Sequence, residues 1–311
     1  MAIKISGNVV LTYDGANYSN TNIAVGYQAL NANTTGVNNT AVGYQALYSN
    51  TTGQWTTAIG YQALYNNTTG TANGTAMGYQ ALYSNTTGYA VTAMGEIALY
   101  SNTTGIQNTA VGQQALYSNT IGTQNTAYGF YSLYANTTGN YNVAVGNAAL
   151  VSNTTGVSNT AVGYLALYYN TTGNYNTAFG YAALELNTTG VANTAVGWLA
   201  LVYNIAGGVY NTALGYAALQ SNTTGTNNTA VGTQALFYNT GVNNTAVGTY
   251  ALYSNTTGYS NTAMGWGAIG SNTTGANNTA MGQQALYNVT TGNTNTAIGY
   301  GCGTGLTTGS N

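Results

Sequence analysis

Apolar and polar positions follow one short pattern along this chain, and the pattern returns about every 17 residues. A representative unit reads Asn39-Thr-Ala-Val-Gly-Tyr-Gln-Ala-Leu-Tyr-Ser-Asn-Thr-Thr-Gly-Gln-Trp55. Its anchor is the glycine of an Ala-apolar-Gly triplet. That glycine occurs at Gly26, Gly43, Gly60, Gly78, Gly95, Gly112, Gly129, Gly146, Gly163, Gly180, Gly197, Gly215, Gly232, Gly248, Gly265, Gly282 and Gly299, in steps of 16, 17 or 18 residues. A period this short, kept over nearly the whole length, predicts an all-β parallel β-solenoid (a β-roll or β-helix) of about seventeen coils. Gly, Thr-Thr and Asn recur too closely for three helical turns, so no helix is expected. Residues 40–48 read as a short strand bounded by turn residues. Asn50-Thr-Thr-Gly53 reads as a corner in which the glycine takes positive φ. A second short extended piece is expected between that corner and the next strand. The extra residues near Gly74 and Gly208, and the missing one near Thr240-Gly241, fall between corner and strand, where loops accept length changes and ladder strands do not.

Comparing units within the chain sorts the positions into columns. The residue before the apolar one is alanine in every copy from Ala24 to Ala297, and the apolar column runs Val25, Val42, Ile59, Met77, Tyr128, Phe179. The fourth residue after the glycine is Leu or Ile in every copy before the last. These columns predict the packed core and the trimer contact, represented by Ala41, Val42, Gly43, Ala46 and Leu47. The two positions after the glycine vary, as in Tyr44-Gln45, Glu96-Ile97 and Trp198-Leu199, and predict a more exposed edge. Like residues in a column are expected to stack, as Asn and aromatic ladders do in other stacked-β assemblies.

The unbroken repeat predicts one elongated solenoid over residues 22–300, a rod of roughly 80 Å at about 4.8 Å per coil. Residues 1–21 form an N-terminal cap or attachment segment, and residues 301–311 a C-terminal cap or tip. A coil that buries little more than a Val, a Leu and two Ala has a thin core. The small columns at Ala41 and Ala46 suggest close approach of another backbone. The expectation is a parallel homotrimer with coils packed about one axis.

Composition narrows the function. The chain carries one cation, Lys4, and three anions, Asp14, Glu96 and Glu185, with no His and no Pro. Binding nucleic acid through its phosphates needs several cations, so no nucleic-acid partner is expected. General acid–base catalysis needs titratable groups held together, and Glu96 and Glu185 stand five repeats apart. A depolymerising glycosidase would need a carboxylate pair. The expectation is therefore no enzyme, no catalytic residues, no metal ligands and no cofactor. Disorder is a poor reading for a chain that is 44% hydrophobic with 30 tyrosines. No run of about 18 apolar residues predicts membrane insertion, and the opening residues lack a secretion-type apolar stretch. Cys302, the single cysteine, sits in the column of Ala29, Ala46 and Ala63. It reads as a small buried residue or as a thiol that links chains.

The stretch Asn39-Thr-Ala-Val-Gly43, repeated at residues 108–112 and 228–232, resembles the head repeats of trimeric autotransporter adhesins. Those repeats form a trimeric left-handed parallel β-roll with one coil per repeat. The family repeat is a few residues shorter, so the corner here must differ. The adhesins' signal peptide, coiled-coil stalk and membrane barrel have no counterpart in this sequence. The longer unit Asn-Thr-Ala-Val-Gly-Tyr-Gln-Ala-Leu-Tyr-Ser-Asn-Thr-Thr-Gly is similar to repeats in tail fibres and other virion appendages of bacteriophages. The opening Met1-Ala-Ile-Lys-Ile-Ser-Gly7 resembles the start of structural proteins from phages of aquatic bacteria. Many such fibres end in a self-cleaving chaperone domain, and none is visible after Gly301.

The phage resemblance implies a structural fibre protein of a virion, assembled in the host cytoplasm. It would be an elongated trimeric rod that contacts the host surface and joins other virion proteins through its N-terminal segment. The alternative is an extracellular or cell-surface filament or adhesin subunit of a microbe, glycosylated at sequons such as Asn33-Thr-Thr35, Asn50-Thr-Thr52 and Asn85-Thr-Thr87. A further reading is glycan recognition by an aromatic strip, Tyr48, Tyr65, Tyr83, Tyr100, Tyr117 and Tyr134. The plainer account of that strip is a tyrosine ladder that stabilises stacking.

Overall fold

The computed structural model describes residues 2–5, 9–12, 22–69 and 73–309. Contacts divide the chain into two compact units, Met1–Thr155 and Gly156–Asn311. Asp14 lies outside the described residues. The fold is all-β, and no helix occurs among the described residues.

In the first unit, Ala2–Ile5 and Val9–Thr12 pair as an antiparallel hairpin. The second hairpin strand packs against Ile23–Val25, the first strand of the repeat. From there to Val143–Val145, each repeat contributes one three-residue strand that pairs in parallel with its neighbours. The second unit builds the same stack from Thr160–Val162 to Thr296–Ile298. Register is position on position: Thr40 opposite Thr57, Ala41 opposite Ala58, Val42 opposite Ile59. Each unit is therefore a parallel β-solenoid with one coil per repeat.

The strand is shorter than the sequence suggests. It ends at Val42 because Gly43 takes φ 137°, and Gln45 and Leu47 follow with φ 53° and 51°. Left-handed backbone is uncommon for any residue with a Cβ and costs about 1–2 kcal/mol. What offsets the cost is that the ladder continues through the turn. The N–H of Gln45 donates to the Tyr27 carbonyl at 2.8 Å, and that of Leu47 to Ala63 at 3.0 Å. The second expected strand is absent from the described residues; a bend with a left-handed residue, such as Trp55 at φ 51°, occupies that stretch.

The core is the Ala41–Ala280, Ala46–Ala285 and Leu47–Leu286 columns, fully buried throughout, while Ala29 and Leu30 of the first repeat are half-buried. Val42 does not belong to it. On a strand, successive side chains alternate between faces, so Thr40 and Val42 point out where Ala41 points in, and Val42 is only half-buried. Gly43 is also half-buried.

Two asparagine columns do the work that apolar residues do elsewhere. In the first, Asn125 donates its backbone N–H to Asn108 Oδ1 at 2.9 Å and its amide to the Gly139 carbonyl at 2.8 Å. In the second, Asn119 Nδ2 donates to Asn102 Oδ1 at 2.8 Å and to the Gly122 carbonyl at 3.1 Å. All of these asparagines are fully buried. Buried amides are stable only when paired, and stacking gives each amide a donor on one side and an acceptor on the other. The corner glycine does not use positive φ. Its carbonyl receives the asparagine amide, and a Cβ at Gly105 would press against Asn102 Oδ1.

In the second unit the second column stops at Asn272. Val289 stands where the next asparagine would be, and Asn272 Oδ1 is buried without a partner. Val289→Asn would supply that donor and pass the open acceptor down to the exposed final coil at Leu306. The variant is expected to gain about 1–2 kcal/mol, read as a higher melting temperature. An unchanged or lower value would contradict this account of the ladder.

Candidate functional site

The surface that varies between repeats lies on the turn after each strand. In the first unit, Tyr48, Tyr65, Tyr83, Tyr100, Tyr117 and Tyr134 stack into one continuous ladder. Successive centroids are 5.0, 5.2, 5.2, 5.4 and 5.2 Å apart. The ring planes are nearly parallel, tilted by only 3° at Tyr48–Tyr65 and 13° at Tyr100–Tyr117. Each ring covers its neighbours' faces, so a ligand would meet edges and hydroxyls. A second ladder, Tyr27, Tyr44, Tyr61 and Tyr79, runs beside it with spacings of 5.4, 5.1 and 5.3 Å. Between the two, Gln45 donates to Gln28 at 2.9 Å, Gln62 to Gln45 at 3.0 Å, and Gln80 to Gln62 at 2.8 Å.

Titratable groups are few. Glu96 is exposed and accepts a 2.8 Å hydrogen bond from Gln113. Glu185 is half-buried, and burial raises its carboxyl above the usual range. Burial, followed by the neighbouring Tyr100, Tyr65 and Tyr61, raises the Tyr83 hydroxyl. Burial and a hydrogen bond with Tyr238 raise that of Tyr253. Among the described residues there is no cluster of three metal-ligating side chains, and no helix is long and apolar enough to cross a membrane.

These shifts set the pH profile. A phenol whose folded value is raised adds stability below about pH 10 that is lost as pH climbs through the folded value. A raised carboxyl instead penalises the fold above its unfolded value near 4.3, with relief as pH falls toward it. Melting temperature is expected to be flat from about pH 5 to 9 and to fall above about pH 10. Glu185→Gln should remove the small gain on the acid side. A steep change inside the flat window would contradict this scheme.

Exposure separates the remaining candidates. Asn50 and Asn85, the acceptors of two sequons, are fully buried with their amide nitrogens in the ladder, so the folded coil offers no room for a glycan there. Asn33 is half-buried, and it too donates to its corner glycine. Cys302 is exposed, in a column that is buried from Ala46 to Ala285. The outward apolar column stays open to solvent, with Ile59 36%, Met77 37%, Tyr128 58% and Phe179 54% exposed.

In the second unit the turn surface is less regular. Trp198 and Tyr216 tilt at 52°, and Phe237 stacks on Tyr253 at 5.4 Å. One coil there carries glycine at both Gly267 and Gly270, where the coils on either side carry Tyr250 and Gln284, and Tyr253 and Tyr287. A recess of about 480 Å³ opens at this point, between Tyr250, Tyr253, Trp266 and Tyr287, with Gln234 and Ser254 on its lining. The sequence signal for it is that pair of glycines in variable columns, which singly reads as ordinary surface variation.

No protein-family model matches the chain, and no curated protein matches it at a significant level.

Proposed function

We propose that this protein is a structural fibre subunit of a bacteriophage virion, built as a parallel homotrimer and serving to contact the host surface. The outward apolar column carries the reading. Every strand of the repeat keeps an apolar or aromatic residue at this position, and a single chain leaves it half-buried or exposed. Apolar surface repeated in this way marks a surface that packs against something else. The strands are in register, so identical chains present identical columns and cover one another by rotation about a common axis. The repeat's similarity to phage fibre repeats favours a virion over other settings. The attachment role of residues 1–21 and the contact with host glycans belong to the same proposal.

Two measurements on the intact chain test it. Native mass spectrometry should give three chains of 31.8 kDa each. Gold-labelled antibody should mark appendages of virus particles in a lysate of the source culture. A stable monomer would remove the trimer. Label confined to filaments on uninfected cells would replace the virion reading with the microbial filament.

A further inference from the structure

We propose that the recess between Tyr250, Tyr253, Trp266 and Tyr287 binds a neutral saccharide by stacking a pyranose ring on its aromatic walls. The proposal deepens the fibre reading and rests on it for the source of the sugar, a cell-surface glycan. The binding itself needs only the folded chain.

Missing side chains create the recess. Tyr253 and Tyr287 occupy one column two coils apart, and Gly270 stands between them where a tyrosine would continue the ladder. Three positions earlier in the same coil, Gly267 lies between Tyr250 and Gln284 of the neighbouring coils. Two coils span about 9.6 Å, the room that one ring takes between two others. Tyr287 leans into part of this space, since a Cβ at Gly270 would lie 2.8 Å from its Cε2. The remaining walls stand at right angles. Tyr250 and Trp266 meet at 89° with centroids 6.3 Å apart, and Tyr250 and Tyr253 at 81° and 5.5 Å. Unlike the rings of the first unit's ladder, Trp266 is 43% exposed and has no parallel neighbour on its face.

The chemistry of the lining selects the ligand. Aromatic faces suit the C–H face of a pyranose, while Gln234, Ser254 and Ser271 can both donate to and accept from its hydroxyls. No lining residue is charged, and Glu185 is the single charged residue of this unit. An acidic sugar would find no cation to pair with. A volume of about 480 Å³ holds a sugar unit with its neighbour and is larger than a trimethylammonium group requires.

The test is saturation-transfer NMR and calorimetry on the full chain, with a panel of neutral hexoses, N-acetylhexosamines and their short oligomers, and with choline chloride. At least one neutral saccharide should bind with Kd on the order of 1 mM or tighter. Gly270→Tyr, which fills the gap with the column's usual residue, should weaken binding by about tenfold or more. Trp266→Ala, at an exposed position, should do the same with the melting temperature unchanged, which keeps the test decisive if Gly270→Tyr folds poorly. No binding across the panel, binding unaltered in Trp266→Ala, or choline binding alone would each overturn the proposal. Because the oligomer mass and the virion labelling are read separately, loss of sugar binding would leave the fibre reading standing.

Discussion

Gly112→Ala is expected to break the stack in the Met1–Thr155 unit. Gly112 sits at φ 134°, and a Cβ there would lie 2.5 Å from the carbonyl oxygen of Gly129 and 2.6 Å from its carbon. Both obstacles are backbone in the next coil, so relief requires the coils to separate. Separation lengthens ladder bonds such as Gly129 N–H to Val111 at 2.8 Å and Leu116 N–H to Ser132 at 3.0 Å. The strained backbone contributes about 1–3 kcal/mol and the overpacking a similar amount, for a total of about 4 kcal/mol. In a stack where each coil holds only its neighbours, the damage should spread on both sides of the substitution. Hydrogen exchange would show loss of protection from residues near 95 to residues near 146. Gly299→Ala is the control, because Gly299 has φ 121° but nothing within 4 Å of a Cβ. It should show the cost of the backbone conformation alone. Equal losses in the two variants would mean that close approach of the coils is not what the glycine column serves.

Asn119→Asp is the second large effect, and it changes one atom. Asn119 Nδ2 donates at 2.8 Å to Asn102 Oδ1 and at 3.1 Å to the Gly122 carbonyl, while its Oδ1 accepts from Asn136 at 2.8 Å. A carboxylate would set an acceptor against two acceptors in a fully buried site and add a charge with no counter-ion in reach. Such a group costs about 3 kcal/mol or more at neutral pH. Its folded pKa must rise, so the sign of the pH dependence follows. The penalty is full above the raised value, shrinks as pH falls through it, and is smallest below about 4, where the unfolded carboxyl is also protonated. The protonated acid can donate once and so restores one of the two bonds. Thermal melts should show the variant recovering on acidification while the parent stays flat. A variant as stable as the parent at pH 7 would sink the idea that the amide ladder is a structural column.

Much of this fold can be read from spacing alone. The Ala24–Ala297 and Leu47 columns announce themselves because burial admits few residue types, and the corner because Asn-Thr-Thr-Gly has few other uses. Val42 misleads, since an apolar column reads as core whether it faces inward or outward; only the period of two along a strand tells them apart. The turn was hidden for a different reason. Gln45 and Leu47 are left-handed not by local preference but because coil-to-coil hydrogen bonds on both sides require it, and no propensity encodes that. The asparagines read as surface turn residues, and it is stacking that makes a dry amide column possible. The recess at Gly267 and Gly270 is legible only when two columns are compared at once.

The corner has a bearing on how such a chain persists in a genome. The amide-to-carbonyl bond spans three residues from Asn102 to Gly105, four from Asn204 to Gly208 and two from Asn239 to Gly241, at 3.0, 2.9 and 3.0 Å. On either side the strands remain in register, Thr194 opposite Thr212 and Thr229 opposite Thr245. A gene made of near-identical segments invites slippage by the copying polymerase. Here a codon gained or lost at the corner is absorbed within one coil, and every later coil keeps its address.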